Sequence, residues 1–219
     1  KKIPYFLTTN PRFILNYKMF FDLSNFQDYS EKYKSKIKLY AFCEKRIKDF
    51  WDAKNESKFE RMKLSVLRTN IIEKYLQRDL VKVEGKGWFN DSIRQKLPDW
   101  HLDKLSKIKN AYLFGFALEN SDVTYYITEK FFDAIFSGTI PIINSSNTAN
   151  LKFFNKVFNI NLQGKDPIEM LNEFNIDKFN SIQFKDQVHC IFNQITNKEN
   201  FYTEIEKRIK KIKKIIFTI

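Results

Sequence analysis

The chain has 219 residues, 43% of them apolar, with only five glycines and five prolines; this fits one large globular domain, or one and a half, and excludes fibrous or linker-rich architectures. A net charge of +12 points to an anionic partner: a phosphorylated ligand, an anionic membrane surface or nucleic acid. No apolar run reaches the roughly 18 residues of a spanning helix, and Cys43 and Cys190, at no pairing or metal-binding spacing, fit a reducing compartment and core-filling roles.

Lys1 follows no initiator Met and opens no signal peptide, which suggests a sequence excised from a longer one. Residues 1–35 show no clean period and are expected to be the remnant of an upstream domain or an interdomain connection. Their aromatics Tyr5, Phe6, Phe13, Tyr17, Phe20 and Phe21 suit a core. Residues 38–43, Lys-Leu-Tyr-Ala-Phe-Cys, read as the first strand of a sheet, and a polar, charged stretch follows to about Lys58. Met62, Val66, Ile71, Ile72, Tyr75 and Leu76 recur at helical spacing and carry Arg68 with them. Residues 80–83 read as a strand that ends at Gly85-Lys86-Gly87, glycines able to take positive φ. Trp88 suits a core. His101 and His189 lack partners at metal spacing and are expected to be structural or solvent-facing, with a Lys-rich helix over 102–108.

Residues 111–117 form an apolar run of buried-strand length. The polar loop Leu118-Glu119-Asn120-Ser121-Asp122-Val123-Thr124-Tyr125-Tyr126-Ile127-Thr128-Glu129-Lys130 follows. Residues 131–137 are apolar at helical spacing, Gly138 closes them, and 139–143 read as another buried strand. Strand, loop, helix and strand make one βαβ unit, whose ligands sit at strand carboxyl ends beside helix N-termini. Lys130 in the first helical turn opposes the helix dipole, and a bound phosphate would reverse that penalty. Asn144-Ser145-Ser146-Asn147-Thr148 is a second polar strand-end loop, and 156–160 read as the last strand. Asp166-Pro167 suits a helix start, and 183–195 suit another helix. The tail over 200–217 is an amphipathic helix, with Phe201, Ile205, Ile209, Ile212 and Ile216 on one face and cations on the others.

Glu119-Asn120-Ser121, four further residues, then Tyr126-Ile127-Thr128-Glu129-Lys130, an apolar helix and Gly138-Thr139-Ile140-Pro141-Ile142 together resemble the donor-binding motif of the α1,3/4-fucosyltransferase family. The placing of Arg68 and of Val81-Lys82-Val83-Glu84-Gly85-Lys86 is similar to that family as well. Departures are Leu118 for the usual Phe, Glu44-Lys45 where Ser-Asn is common, and Gly115 where a bulky aromatic is common.

The resemblance spans about 36–160 and implies an α/β, doubly wound parallel sheet, the Rossmann-like C-terminal half of a GT-B glycosyltransferase, here over 36–197. The basic amphipathic helix would occupy 198–219. It implies inverting transfer of L-fucose from GDP-fucose to a hydroxyl of a glycan, as in lipopolysaccharide or protein glycosylation. Arg68, Asn120, Tyr126, Glu129 and Lys130 would bind the donor, with Gly85, Glu119, Ser121, Thr128 and Ser145 as further contacts. Arg68 and Lys130 would stabilise the departing GDP and Glu129 the sugar's positive charge, with no metal or cofactor required; no Asp-x-Asp motif is present. The catalytic base would be a carboxylate of an N-terminal domain; Asp22, Asp28 and Glu31 are the carboxylates within 1–35 and do not match its motif. A cytoplasmic protein is expected, peripheral on the inner face of a membrane through residues 200–217, with no nucleic-acid partner. A glycosyltransferase using another nucleotide sugar and a non-enzymatic basic module for membrane or nucleic acid remain as alternatives.

Overall fold

The computed structural model describes residues 3–47, 64–89 and 97–216, with the backbone alone at Tyr5 and Ile215. Lys58, Met62 and Phe217, invoked above, lie outside the described residues. The centre is a parallel five-stranded sheet: β1 Leu39–Phe42, β2 Val81–Glu84, β3 Phe114–Phe116, β4 Ile140–Ile143 and β5 Ile160–Asn161, in the order β2-β1-β3-β4-β5. The expected doubly wound α/β class is therefore the observed one. Parallel strands buried on both faces need near-continuous apolar runs, and Phe-Gly-Phe and Ile-Pro-Ile-Ile supply them. Pro141 sits in an interior strand without breaking a ladder. Ile140 donates its N–H to Leu113 on the β3 side, so position 141 faces β5, and pairing with β5 begins only at Ile142 opposite Ile160.

Right-handed crossovers dictate where the helices lie. Helix α4, Leu64–Leu76, connects β1 to β2 on one face, where α8, Pro167–Asn172, joins it through a Tyr75 hydroxyl bond to the Pro167 carbonyl at 3.2 Å. Helices α5 Trp100–Ile108, α6 Glu129–Phe136 and α7 Thr148–Phe154 carry the crossovers that run the other way, and so cover the opposite face. Helix α6 lies against β3 and β4, burying Phe131, Phe132, Ala134, Ile135 and Phe136. Gly115 explains how close it lies. A Cβ at that position would overlap the Thr139 hydroxyl and approach the Ala134 Cβ to 2.6 Å. The bulky residue common there in the resembled family has no room in this packing.

Residues 3–34 form α1 Tyr5–Thr9, α2 Pro11–Phe20 and α3 Tyr29–Lys34, and pack on this same core. Ile3, Leu7 and Tyr17 have no solvent exposure. Phe13 is buried, while Phe6, Phe20 and Phe21 are partly buried against the core. Helix α9, Ser181–Thr196, packs on α2 and α6. Helix α10, Lys198–Ile216, continues from it. The apolar face expected for α10 divides in two. Phe201 and Ile205 are partly covered, whereas Ile209, Ile212 and Ile216 are 48%, 55% and 59% exposed beside Lys210, Lys211, Lys213 and Lys214. No helix among the described residues is long and apolar enough to cross a membrane.

Candidate functional site

The strand order places a topological switch point between β1 and β3, since the chain leaves β1 for β2 on one side and β3 for β4 on the other. Such a crevice, beyond the carboxyl ends of the two strands, is where doubly wound sheets bind ligands. A cavity of about 280 Å³ lies there. Phe42, Cys43, Glu44 and Arg46 from the end of β1 line it, with Asn120, Tyr126, Thr128, Glu129 and Lys130 from the loop between β3 and α6. Arg68 of α4, Phe6, Phe13 and Trp100 complete the wall.

The loop has its own anchor. Buried Glu119 accepts from the Thr128 backbone N–H at 2.6 Å and the Thr128 hydroxyl at 2.7 Å, so a strand-end carboxylate secures the residue that precedes α6. Lys130 then turns back over this pair. Its ammonium lies 2.9 Å from the Thr128 hydroxyl, 3.2 Å from Glu119 and 3.5 Å from Glu129. The cation at a helix N-terminus is thus neutralised by two flanking carboxylates. Burial pushes Glu119 above the usual carboxylate range, against the pull of Lys130. Burial acts in the same direction on Glu129, but Lys130 and Lys104 overcome it and hold that carboxyl low. The two acids therefore differ in character, Glu129 being the more firmly ionised.

Arg68 is the exception to this pairing. It is 3% exposed and donates to the neutral Asn120 side-chain oxygen at 2.6 Å, while its Nε has no partner among the described residues. The first described residue of α4 is tied to the same place, the Leu64 N–H donating to the Asn120 carbonyl at 2.9 Å. Tyr126 lines the same cavity, and burial pushes the titration of its hydroxyl upward, against the pull of Lys130. A buried guanidinium whose hydrogen-bond partner among the described residues is a neutral oxygen is costly unless an anion arrives to complete it.

The structure therefore gathers Arg68, Asn120, Tyr126, Thr128, Glu129 and Lys130 on one cavity, with Glu119 directly behind. Three other residues expected at the donor do not line it. Ser121 is half-buried at the loop's edge. The Ser145 hydroxyl donates to Asp122 at 2.5 Å. Gly85, at φ +133°, lets the turn after β2 pass against the Cys43 carbonyl, where any Cβ would overlap; it shapes the wall through Cys43. Arg46 and Glu44 were not foreseen. The Arg46 guanidinium bonds Glu44 at 3.2 Å and the Ser65 hydroxyl at 3.3 Å, which places another cation at the cavity. Their position directly after β1, at a ligand-side strand end, was the available signal.

Behind α6 lies a second polar assembly. Asp133, fully buried, accepts from Lys104 Nζ at 2.6 Å, His101 Nε2 at 2.7 Å and the Tyr17 hydroxyl at 2.6 Å. Asn16 lies 3.0 Å from His101 Nδ1. If its amide donates there, Nε2 carries the ring proton and donates to Asp133. His101 is thus structural, in line with the expectation, but in a buried ion network and not facing solvent.

A family model described as glycosyltransferase family 10 (fucosyltransferase), C-terminal, matches residues 46–160, more than half of the chain. That span holds α4, β2 to β4 and the whole loop between β3 and α6. No curated protein matches the chain.

Proposed function

Because the chain belongs to glycosyltransferase family 10, the fucosyltransferases, we propose that its cavity binds GDP-fucose and that the enzyme transfers L-fucose, with inversion, to a hydroxyl of a glycan. The observation that carries the donor reading is Arg68: a buried guanidinium whose Nε has no partner among the described residues, at the switch point of the sheet, in a cavity that also holds Lys130 and Arg46. A diphosphate supplies the missing counter-charge. As the bond to the sugar breaks, negative charge grows on the leaving GDP. Preorganised cations in a site shielded from water stabilise such charge strongly, each by roughly 2.7–4 kcal/mol in comparable oxyanion sites. Glu129, held ionised beside Lys130, faces the same space and would stabilise positive charge on the sugar ring. Tyr126 and Asn120 would orient the donor.

The test is a thermal-shift panel in EDTA. GDP and GDP-fucose at about 100 times their Kd are expected to stabilise the fold by about 2.7 kcal/mol, and UDP-sugars to do nothing measurable. Equal shifts from UDP-sugars would replace the donor assignment by another nucleotide sugar, and loss of the GDP shift in EDTA would overturn metal-free binding.

The exposed Ile209, Ile212 and Ile216 among lysines support a second element of the proposal, a peripheral contact of α10 with an anionic membrane at the cytoplasmic face. Deleting residues from Phe201 onward should reduce sedimentation with anionic liposomes while leaving GDP affinity within twofold. Parallel loss of both would make α10 a structural helix only.

A further inference from the structure

Asn150, in α7, is 1% exposed and spends its whole side-chain amide on the loop that carries Tyr126. Its oxygen accepts the Tyr125 N–H at 2.7 Å; its nitrogen donates to the Val123 carbonyl at 2.9 Å and to Asp122 at 3.2 Å. Asp122 in turn accepts from the Ser145 hydroxyl at 2.5 Å, the Ser146 N–H at 2.7 Å and the Asn147 N–H at 3.0 Å. Asn147 adds a bond of 2.9 Å to the Thr124 hydroxyl. The loops after β3 and β4 are thus laced together residue by residue over 122–125. The conformation so held is not a relaxed one. Tyr125 has φ +65°, a region that bulky side chains rarely enter. Such outliers persist where surrounding contacts over-determine them, and they cluster at functional sites.

Resting on the donor site proposed above, we propose that Asn150 and Asp122 are positioning residues for the donor. They force Tyr125 into the left-handed conformation, and that turn carries Tyr126 into the cavity that Asn120 and Arg68 also line. The argument is one of satisfaction. A buried amide with all three of its bonds on one loop admits that loop in one shape; any other leaves buried donors and acceptors empty. Neither residue lines the cavity itself. Their effect on the donor runs through the backbone between 123 and 126, where the Tyr126 N–H closes the turn on Val123 at 2.9 Å.

The experiment measures GDP affinity by calorimetry well below each variant's Tm. Asn150→Ala should weaken GDP about tenfold or more. Asn25→Ala is the control: Asn25 is equally buried, with its amide bonded to the Phe136 carbonyl, away from the cavity. It should lower Tm similarly yet keep GDP affinity within twofold. Adding Tyr125→Gly to Asn150→Ala should recover several-fold of the loss, because glycine holds positive φ without a tether. Should Asn150→Ala fail to fold, Asp122→Asn, which keeps one acceptor oxygen and turns the other into a donor facing donors, is expected to lower GDP affinity several-fold. Wild-type affinity in the variant that folds overturns the proposal. Lys130→Ala separates the two levels of inference: if it too leaves GDP binding unchanged, the donor site itself is misplaced, whereas a loss there with none at Asn150 or Asp122 removes only the positioning role.

Discussion

Asp133→Ala should lower the stability of the fold by about 3–5 kcal/mol, the range expected when one partner of a buried ion pair is removed. The carboxylate is completely buried, and its removal strands the Lys104 ammonium, itself 5% exposed, together with the Tyr17 hydroxyl and the His101 ring N–H. The ammonium and the ring N–H are left desolvated with no hydrogen-bond partner among the described residues, and the Tyr17 hydroxyl keeps only the Glu129 carbonyl at 3.3 Å, which costs more than the bonds themselves are worth. Urea unfolding at pH 7 measures the loss, and a value below about 1 kcal/mol would contradict the network's importance. The pH dependence has a definite sign. Burial works to raise the Asp133 pKa, but Lys104 and His101 overcome it and hold the group far below an unfolded aspartate at about 3.9. A depressed carboxylate contributes stability that is complete above its unfolded pKa and is lost as pH falls toward the folded value. The urea midpoint of the wild type should therefore drop more steeply below about pH 4 than that of Asp133→Ala. The same network ties α2, through Tyr17 and Asn16, to the helix that carries Glu129 and Lys130.

How much of this was legible depended on whether a residue's partner is near in sequence. The unit from β3 to β4 was readable because its cues are local: an apolar run, a polar loop, helical spacing and Gly138, whose φ of +73° ends α6. Helix α6 starts at Glu129, two residues before its apolar face begins, with Thr128 secured by Glu119 across the loop. The role of His101 was not readable. Its partner Asp133 lies 32 residues away on another helix, and no spacing rule joins them. Ser145 shows the opposite failure. A serine at a ligand-side strand end is equally suited to a phosphate and to a neighbouring loop, and only the fold brings Asp122 within 2.5 Å of it. The tail's helical period was plain, yet the period alone could not tell that Phe201 and Ile205 meet the domain while Ile209 and Ile212 do not. Arg46 lay in a stretch without apolar rhythm, and its place on the cavity follows from the sheet order, which only the assembled strands reveal.

Arg68→Met should weaken GDP binding by roughly 10–150-fold, the equivalent of about 1.5–3 kcal/mol for a hydrogen bond to a charged group, while leaving the empty protein as stable as the wild type or more so. The two signs together are what identify a ligand-binding cation. A guanidinium that served the fold would have a buried carboxylate as its partner; among the described residues Arg68 has the neutral Asn120 oxygen at 2.6 Å and no partner for its Nε. Replacing an uncompensated buried charge by an apolar side chain of similar length relieves desolvation in the empty state. Losing it after a diphosphate has entered removes a charge-assisted contact. Lys130→Ala should also weaken GDP binding, but with the opposite effect on the empty fold, because Glu119 and Glu129 would then face each other without the ammonium that lies 3.2 Å and 3.5 Å from them. Calorimetric GDP titration and urea unfolding on the two variants, side by side, decide the matter. Unchanged GDP affinity in both would remove the diphosphate from this cavity. A large stability loss in Arg68→Met with normal GDP affinity would make Arg68 a structural arginine whose partner lies elsewhere in the chain.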